Sequence, residues 1–160
     1  MGLGWINCED YSFNSFLLLE RFQIHMIFGD RDDKWRRRMG IALNANPAVR
    51  WYLERRCPER AQVISEIAAQ APATTDTRRI RRAEVYALEC AEDFITFTTP
   101  EVMDTNCHYI RAWDKGRLFE MADLTGKTVL DIGAGSGRLT FTAAEKAAWV
   151  CASEPVGTLR

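Results

Sequence analysis

The chain has 160 residues, of which 47% are hydrophobic and 11% aromatic, so it is long enough and apolar enough to bury an ordinary globular core. Its formal net charge is -1 with 27% charged residues, which excludes a uniformly basic nucleic-acid binder and an acidic disordered tail. The charge is uneven, because residues 26–82 hold 13 Lys and Arg against 7 Asp and Glu.

The first predicted segment, residues 1–25, is an N-terminal extension that runs into the apolar stretch FLLLERFQIHMIF. Glu20 and Arg21 interrupt this stretch, which is too short to span a bilayer. A secretory signal would carry positive charge ahead of its apolar run, but Glu9 and Asp10 stand there instead. We therefore expect a soluble, cytoplasmic protein with no membrane partner.

The second predicted segment, residues 26–123, is a helical region. In DDKWRRRMGIAL, Trp35, Met39 and Leu43 recur every four residues, so they share one face of an amphipathic helix. The arginines between them, Arg36 to Arg38, are mostly turned outward on that helix.

Two further helix starts follow. Asn46 and Pro47 are typical of an N-cap and a first helical position, and Pro58 marks another start. Residues 72–77, PATTDT, are a linker whose Thr and Asp side chains can cap the next helix. The apolar residues of RRIRRAEVYALECAEDFITF recur at three- and four-residue steps, which predicts one long helix over residues 78–97.

Two arginine clusters, Arg36 to Arg38 and Arg78 to Arg82, could contact the phosphates of a nucleic acid. Such clusters are more often solvated helix faces. Residues 83–160 hold 7 Lys and Arg against 12 Asp and Glu, which argues against a continuous basic surface. A nucleic-acid partner is therefore open but not favoured.

The five cysteines are widely spaced, with no C-x-x-C pair, and the chain has only two histidines. This pattern predicts free thiols in a reducing compartment, with no zinc site and no disulfide framework. We expect no metal site. The cysteines are Cys8, Cys57, Cys90, Cys107 and Cys151.

The third predicted segment, residues 124–160, changes period. KTVLDIG is a short β-rich apolar run bounded by Gly126 and Gly133, which is typical of a buried parallel strand. A glycine turn, an alanine-rich helix and a second apolar run, WVCAS, follow and lead to Glu154. This succession predicts a strand, a turn, a helix and a strand in one right-handed βαβ unit.

The glycines of the turn, Gly133, Gly135 and Gly137, would let backbone N–H groups approach a ligand closely and let the chain reach positive φ. Glu154 follows the second strand, where a carboxylate can accept hydrogen bonds from both hydroxyls of a ribose. The dinucleotide fingerprint wants glycine or alanine where Arg138 stands, so NAD and FAD are disfavoured.

The stretch VLDIGAGSG resembles motif I of the class I S-adenosylmethionine-dependent methyltransferases, in which an apolar strand and an acidic residue precede G-x-G-x-G. The resemblance implies S-adenosyl-L-methionine as cofactor, with Asp131 near its methionyl end and Glu154 on its ribose hydroxyls. It also implies that the helical region, residues 26–123, lids the cofactor or shapes the substrate site. In this family an aromatic such as Tyr109 or Trp113 can stack over the cofactor, although core packing is the favoured interpretation of both. The implied cofactor-binding residues are Asp131, Gly133, Ala134, Gly135, Gly137 and Glu154.

The predicted fold class is α/β, an N-terminal helical region followed by the first βαβ of a Rossmann-like methyltransferase domain that is incomplete at its C-terminus. Because the resemblance covers only about residues 124–160, we expect the N-terminal part of a longer methyltransferase, inactive as this chain alone and with an unknown methyl acceptor and catalytic residues. An unpaired sheet edge would invite pairing with another chain. Two alternatives stay open, a non-catalytic helical interaction module with a vestigial cofactor site and a fragment of a nucleic-acid methyltransferase.

Overall fold

The structure is a computed structural model. The chain forms two compact units, Met1–Ile95 and Thr96–Arg160. The three-part division drawn from the sequence stays a prediction. The described residues are 4, 6–98, 104–105 and 116–159.

The first unit is helical. Short 3-10 helices at Cys8–Asp10 and Phe13–Leu18 precede its α-helices, and α6 ends just past the boundary between the units. In chain order the α-helices are α1 (Arg21–Ile27), α2 (Asp33–Ala45), α3 (Pro47–Arg56), α4 (Pro58–Gln70), α5 (Thr77–Glu89) and α6 (Glu92–Thr96).

Helix α2 confirms the four-residue spacing, because Trp35, Met39 and Leu43 are all buried. The Asp32 carboxylate caps the helix by accepting a hydrogen bond of 2.7 Å from the Trp35 N–H. Helix α2 also packs closely on α4 at Gly40, where an added Cβ would lie 2.3 Å from the Ile67 carbonyl oxygen. The two helix backbones can therefore approach this closely only with glycine at that position.

The predicted starts of α3 at Pro47 and of α4 at Pro58 are confirmed. Asn46 stands at the N-cap of α3, but its side chain does not cap the helix. Instead its amide donates hydrogen bonds to the Ala42 carbonyl at 2.9 Å and to the Glu84 carboxylate at 2.7 Å. Asn46 therefore links three helices rather than serving only one.

The prediction of one continuous helix over residues 78–97 is wrong, because α5 ends at Glu89 and α6 begins at Glu92. Neither glycine nor proline stands at the break. The turn carries Glu92 inward, where it is 2% exposed and accepts hydrogen bonds from the N–H groups of Gly4 at 3.1 Å and Ile6 at 3.0 Å. A buried carboxylate requires such donors. The break between α5 and α6 is therefore accompanied by a contact between Glu92 and the distant N-terminal segment.

The core of the first unit is formed by large aliphatic and aromatic side chains with almost no solvent exposure. The rings of Phe13 and Phe16 lie 4.6 Å apart, so the N-terminal 3-10 segment belongs to this core. The largest fully buried side chains are Phe13, Phe16, Leu19, Ile24, Ile27, Phe28, Met39, Leu43, Leu53, Ile64, Ile67 and Leu88.

The second unit contains a two-stranded parallel sheet in its described part, so the described chain is mixed α/β and mainly helical. Leu130 pairs with Cys151 in the register of the two strands. The predicted succession of strand, glycine turn, helix and strand is confirmed. The elements are α7 (Gly116–Met121), β1 (Thr128–Ile132), α8 (Arg138–Ala144), β2 (Trp149–Ser153) and a 3-10 helix at Gly157–Leu159.

The expectation of a buried strand is wrong for β1. Leu130 and Ile132, which lie on one face of the sheet, are 63% and 79% exposed, and Trp149 of β2 is 66% exposed. Each strand has one neighbouring strand among the described residues, so each has one edge without a strand partner in that part of the chain. Pairing of its open edges with another chain stays a prediction. No helix in the described ranges combines the length and the apolar character needed to cross a membrane.

Candidate cofactor cleft

The glycine turn between β1 and α8 uses backbone conformations that only glycine adopts easily. Gly133, Gly135 and Gly137 have φ of 77°, 58° and 81°, all in the left-handed region. The alternation of glycines therefore has a local cause, because side chains at these positions would strain the turn.

Backbone hydrogen bonds join the glycine turn to the end of β2. The N–H groups of Gly133 and Ala134 both donate to the Ser153 carbonyl, at 2.8 and 3.1 Å. Within the turn, the Gly137 N–H donates to the Ala134 carbonyl at 2.9 Å. These bonds fix the turn against the carboxyl end of the neighbouring strand.

Glu154 connects the same two segments through its side chain. Its carboxylate accepts one hydrogen bond from the Gly135 N–H at 2.7 Å and another from the Val156 N–H at 2.8 Å. The acidic residue after β2 and the middle glycine of the turn are therefore in direct contact, although 18 positions lie between them.

Asp131 lies on β1, opposite Ala152 of β2 in the strand register. Its carboxylate accepts a hydrogen bond of 2.5 Å from the hydroxyl of Thr140 in α8. This bond ties the strand to the helix that follows the glycine turn and orients the carboxylate. Thr140 is a contributor that sequence reasoning missed, since a threonine within an alanine-rich helix carries no distinctive signal.

A cleft of about 550 Å³ opens between the glycine turn, α8 and the end of β2, a volume in the range of small-molecule sites. It brings together four predicted residues, Ala134, Gly135, Gly137 and Glu154, whereas Asp131 and Gly133 lie beside it and do not line it. The other lining residues, all missed by sequence reasoning, are Ser136, Thr140, Phe141, Ala152, Ser153 and Leu159.

The electrostatic character of the cleft is simple. Among the described residues that line it, Glu154 alone carries a charge. Phe141 and Leu159 supply an apolar wall, and Ser136 is oriented by a hydrogen bond from its hydroxyl to the Asp104 carboxylate at 3.0 Å. The cleft is therefore suited to a ligand with apolar and hydroxyl groups and with net positive rather than negative charge.

A second cluster of reactive groups lies in the first unit, where single atoms of His25, Cys57 and Glu59 fall within 4.8 Å of one another. Sequence reasoning missed this cluster. The Arg21 guanidinium binds the Glu59 carboxylate at 2.8 Å and holds the pKa of that carboxyl at about 2, and Arg60 Nη2 lies 3.1 Å from His25 Nε2. Two guanidinium groups already contact these ligands, so we interpret the cluster as a hydrogen-bonded network around the ion pair of Arg21 and Glu59.

Four of the cysteines are described, and all four are free thiols. Burial raises the pKa of the Cys8 thiol to about 12 and also raises the pKa of Cys57 and Cys90. These three thiols are therefore un-ionised at neutral pH and unsuited to nucleophilic chemistry. Cys107, with its neighbour His108, and the aromatic candidates Tyr109 and Trp113 lie outside the described residues.

Comparison of the chain with protein-family models, with curated proteins and with solved structures finds no match.

Proposed function

We propose that the chain carries the S-adenosyl-L-methionine-binding motif of a class I methyltransferase, in the cleft beside the glycine turn. The observation that carries the proposal is the hydrogen bond of 2.7 Å between Glu154 and the Gly135 N–H. It brings the acidic end of β2 onto the glycine turn, so that the two halves of the motif line one cleft. In this proposal β1, α8 and β2 are the first βαβ of a Rossmann-like domain.

The charge of the cleft supports this cofactor over a dinucleotide. S-adenosylmethionine carries a sulfonium and an ammonium group but no phosphate, and Glu154 is the charged group among the described lining residues. A pyrophosphate in the same cleft would find no described lining cation to neutralise it, whereas a carboxylate at the position of Glu154 is compatible with the ribose of either cofactor. This charge argument does not use Arg138, which already disfavours NAD and FAD because it stands where the dinucleotide fingerprint has glycine or alanine.

Each cofactor-binding residue has a distinct role in the proposal. Glu154 accepts hydrogen bonds from the ribose hydroxyls, which share the carboxylate with the Gly135 N–H or displace it. The backbone of Gly133, Ala134 and Gly135 packs against the cofactor without obstruction from side chains. Asp131, oriented by Thr140, lies toward the methionyl end in keeping with the family resemblance.

The proposed reaction needs little covalent chemistry from the protein. S-adenosylmethionine, held by Glu154 and the backbone of the glycine turn, would supply an electrophilic methyl group to an acceptor nucleophile and would leave as the neutral thioether S-adenosylhomocysteine. The acceptor gives up its proton to a base. Because the donor is already activated by its positive charge, orientation of the two reactants supplies much of the rate.

The test is isothermal titration calorimetry of the 160-residue chain with S-adenosylmethionine. We expect saturable binding that Glu154→Gln weakens by at least about tenfold, because a charge-assisted hydrogen bond contributes about 1.5–3 kcal/mol. Glu145→Gln is the matched control. Glu145 is exposed, caps the C-terminal end of α8 and does not line the cleft, so this variant should bind like the wild type.

Three results would overturn the proposal. The first is a chain that is folded by circular dichroism but gives no binding heat with S-adenosylmethionine. The second is equal affinity of the Glu154→Gln and wild-type chains. The third is tighter binding of NAD than of S-adenosylmethionine in the same titration, since the charge argument predicts the opposite order.

A further inference from the structure

The two arginine clusters that are distant in sequence lie on neighbouring helices of the first unit. Helices α2 and α5 pack against each other, and a groove of about 500 Å³ lies between them. It brings together basic residues from both helices with a single described carboxylate, that of Asp33. The basic residues that line the groove are Lys34, Arg37, Arg38, Arg79 and Arg82.

None of these five cations forms an ion pair with a carboxylate in the described part of the chain. The ion pairs between its Arg and Asp or Glu side chains use Arg21, Arg50, Arg56 and Arg81, none of which is among the five. Like charges gathered on two packed helices repel one another, so the groove has a positive field that an anion would relieve.

The basic surface is partly pre-organised and continues beyond the groove. The guanidinium of Arg38 lies 4.3 Å from the centre of the Tyr86 ring, a stacking contact that limits its motion. A neighbouring cavity of about 430 Å³ shares Arg38 and Arg82 with the groove and adds Arg81 and Tyr86. Glu9 and Glu89 bound this second cavity, so the positive surface has an acidic limit on that side.

We propose that the groove between α2 and α5, which we name the α2–α5 groove, binds the phosphodiester backbone of a nucleic acid. Arginine supplies four of its five cations, stays charged at any physiological pH, and matches phosphate oxygens with its forked donors. Lys34 and Arg38 stand one turn apart, about 6 Å along α2. Cations spread along two helices suit a chain of phosphates better than a single phosphate group.

This inference goes beyond the proposed methyl transfer, because the α2–α5 groove shares no lining residue with the cofactor cleft. Either proposal can fail while the other stands. The nucleic acid would bind without S-adenosylmethionine, and the affinity for S-adenosylmethionine would not change when groove arginines are replaced.

The test is fluorescence anisotropy of a fluorescein-labelled DNA duplex of about 20 base pairs, titrated with the full chain at about 50–200 mM NaCl. The variant Arg37→Gln/Arg79→Gln removes two groove cations that lack a described carboxylate partner. We expect its affinity to fall by at least about tenfold and the slope of log affinity against log salt to become shallower by about 2. The control Arg55→Gln/Arg117→Gln makes the same charge change at two exposed arginines outside the groove and should bind like the wild type.

Several outcomes would overturn the inference. One is an unchanged affinity and salt slope in the groove variant when circular dichroism confirms that it is folded. Another is an equal loss in the control variant, which would indicate a response to net charge alone. Displacement of the duplex by poly-glutamate at equal charge concentration would point to an acidic protein partner. Displacement by inorganic pyrophosphate at the duplex concentration would point to a small-anion site.

Discussion

The two units of the chain are stabilised in different ways. The first unit surrounds large apolar side chains on all sides, and Leu53, Ile64 and Leu88 have no measurable exposure. The second leaves large apolar side chains in solvent, including Leu130 and Ile132 on its first strand. All of the largest fully buried side chains lie in the first unit, whereas the described strands and glycine turn of the second unit are joined by backbone hydrogen bonds.

Because of this difference, the residues that determine stability are largely distinct from the residues that form the candidate ligand site. A substitution in the first unit acts through the core, and its cost follows buried volume and helix packing. A substitution in the candidate cleft acts on a ligand site that is built from the backbone of the glycine turn and from side chains such as Phe141 and Glu154. Stability measurements and binding measurements should therefore respond to different sets of residues.

The largest expected effect comes from truncating a core side chain. Leu53→Ala should lower the free energy of unfolding by about 3 kcal/mol, because Leu53 is 0% exposed and its removal leaves a cavity. Leu130→Ala is the matched change in the second unit and should cost less than about 1 kcal/mol, since that side chain is mostly in solvent. Urea unfolding followed by far-ultraviolet circular dichroism measures both. Similar costs would mean that the face of the sheet is covered in solution.

The next effect is expected at the crossing of α2 and α4. Gly40→Ala should destabilise the first unit by about 2 kcal/mol, because its Cβ would meet the Ile67 carbonyl oxygen and the Ala71 Cβ, which lies 2.5 Å from the added atom. This cost exceeds the gain of about 1 kcal/mol that alanine brings to a helix interior. Gly29→Ala is the control, since its added Cβ would come no closer than 3.3 Å to the Met26 carbonyl oxygen. Equal midpoints of urea unfolding for the two variants would contradict the close crossing.

A smaller effect is expected at the start of α5. The Asp76 carboxylate accepts hydrogen bonds from the N–H groups of Arg78 at 2.9 Å and Arg79 at 3.2 Å, so Asp76→Ala should cost about 1 kcal/mol. Asp76→Asn keeps an acceptor oxygen and should restore most of the loss. The start of α8 offers a contrast, because its N-cap Gly137 has no side chain. Thermal unfolding of the two Asp76 variants measures this difference. Identical melting temperatures for Asp76→Ala and Asp76→Asn would mean that the side-chain cap does not stabilise α5.

The smallest effect on stability is expected at the exposed pair of Arg21 and Glu59. The Arg21 hydrogen bond lowers the pKa of Glu59 from an ordinary 4.5 to about 2. The pair therefore contributes at pH values above the ordinary pKa, and its contribution is lost as the pH falls toward and through about 2. Arg21→Gln should return the pKa of Glu59 toward its ordinary value in a carbon-13 NMR titration while changing stability at neutral pH little. An unchanged titration curve would remove the Arg21 contact as the cause.

Local patterns in the sequence predicted the elements that depend on interactions between residues close together in the chain. The spacing of Trp35, Met39 and Leu43 predicted the buried face of α2, and the prolines predicted the starts of α3 and α4. The glycines at 133, 135 and 137 predicted a turn at positive φ, since the demand for glycine is a property of each residue's own backbone.

Features that depend on contacts between distant residues could not be predicted from the same patterns. The interruption after α5 coincides with a hydrogen bond from Gly4 to Glu92, and the exposure of β1 depends on which elements cover the sheet. The α2–α5 groove forms only because two helices pack side by side. Of the candidate cleft, the glycines and Glu154 could be predicted, but Thr140 and Leu159 could not.

The close crossing of α2 and α4 limits which residues can replace Gly40 during evolution. The atom that excludes a side chain at Gly40 is the carbonyl oxygen of residue 67, which every amino acid carries. A mutation at position 67 can change the neighbouring side chain but never removes that oxygen, so no compensating substitution is available there. As sequences that share this crossing diverge, the glycine should outlast the residues around it and become a marker by which distant descendants can be recognised.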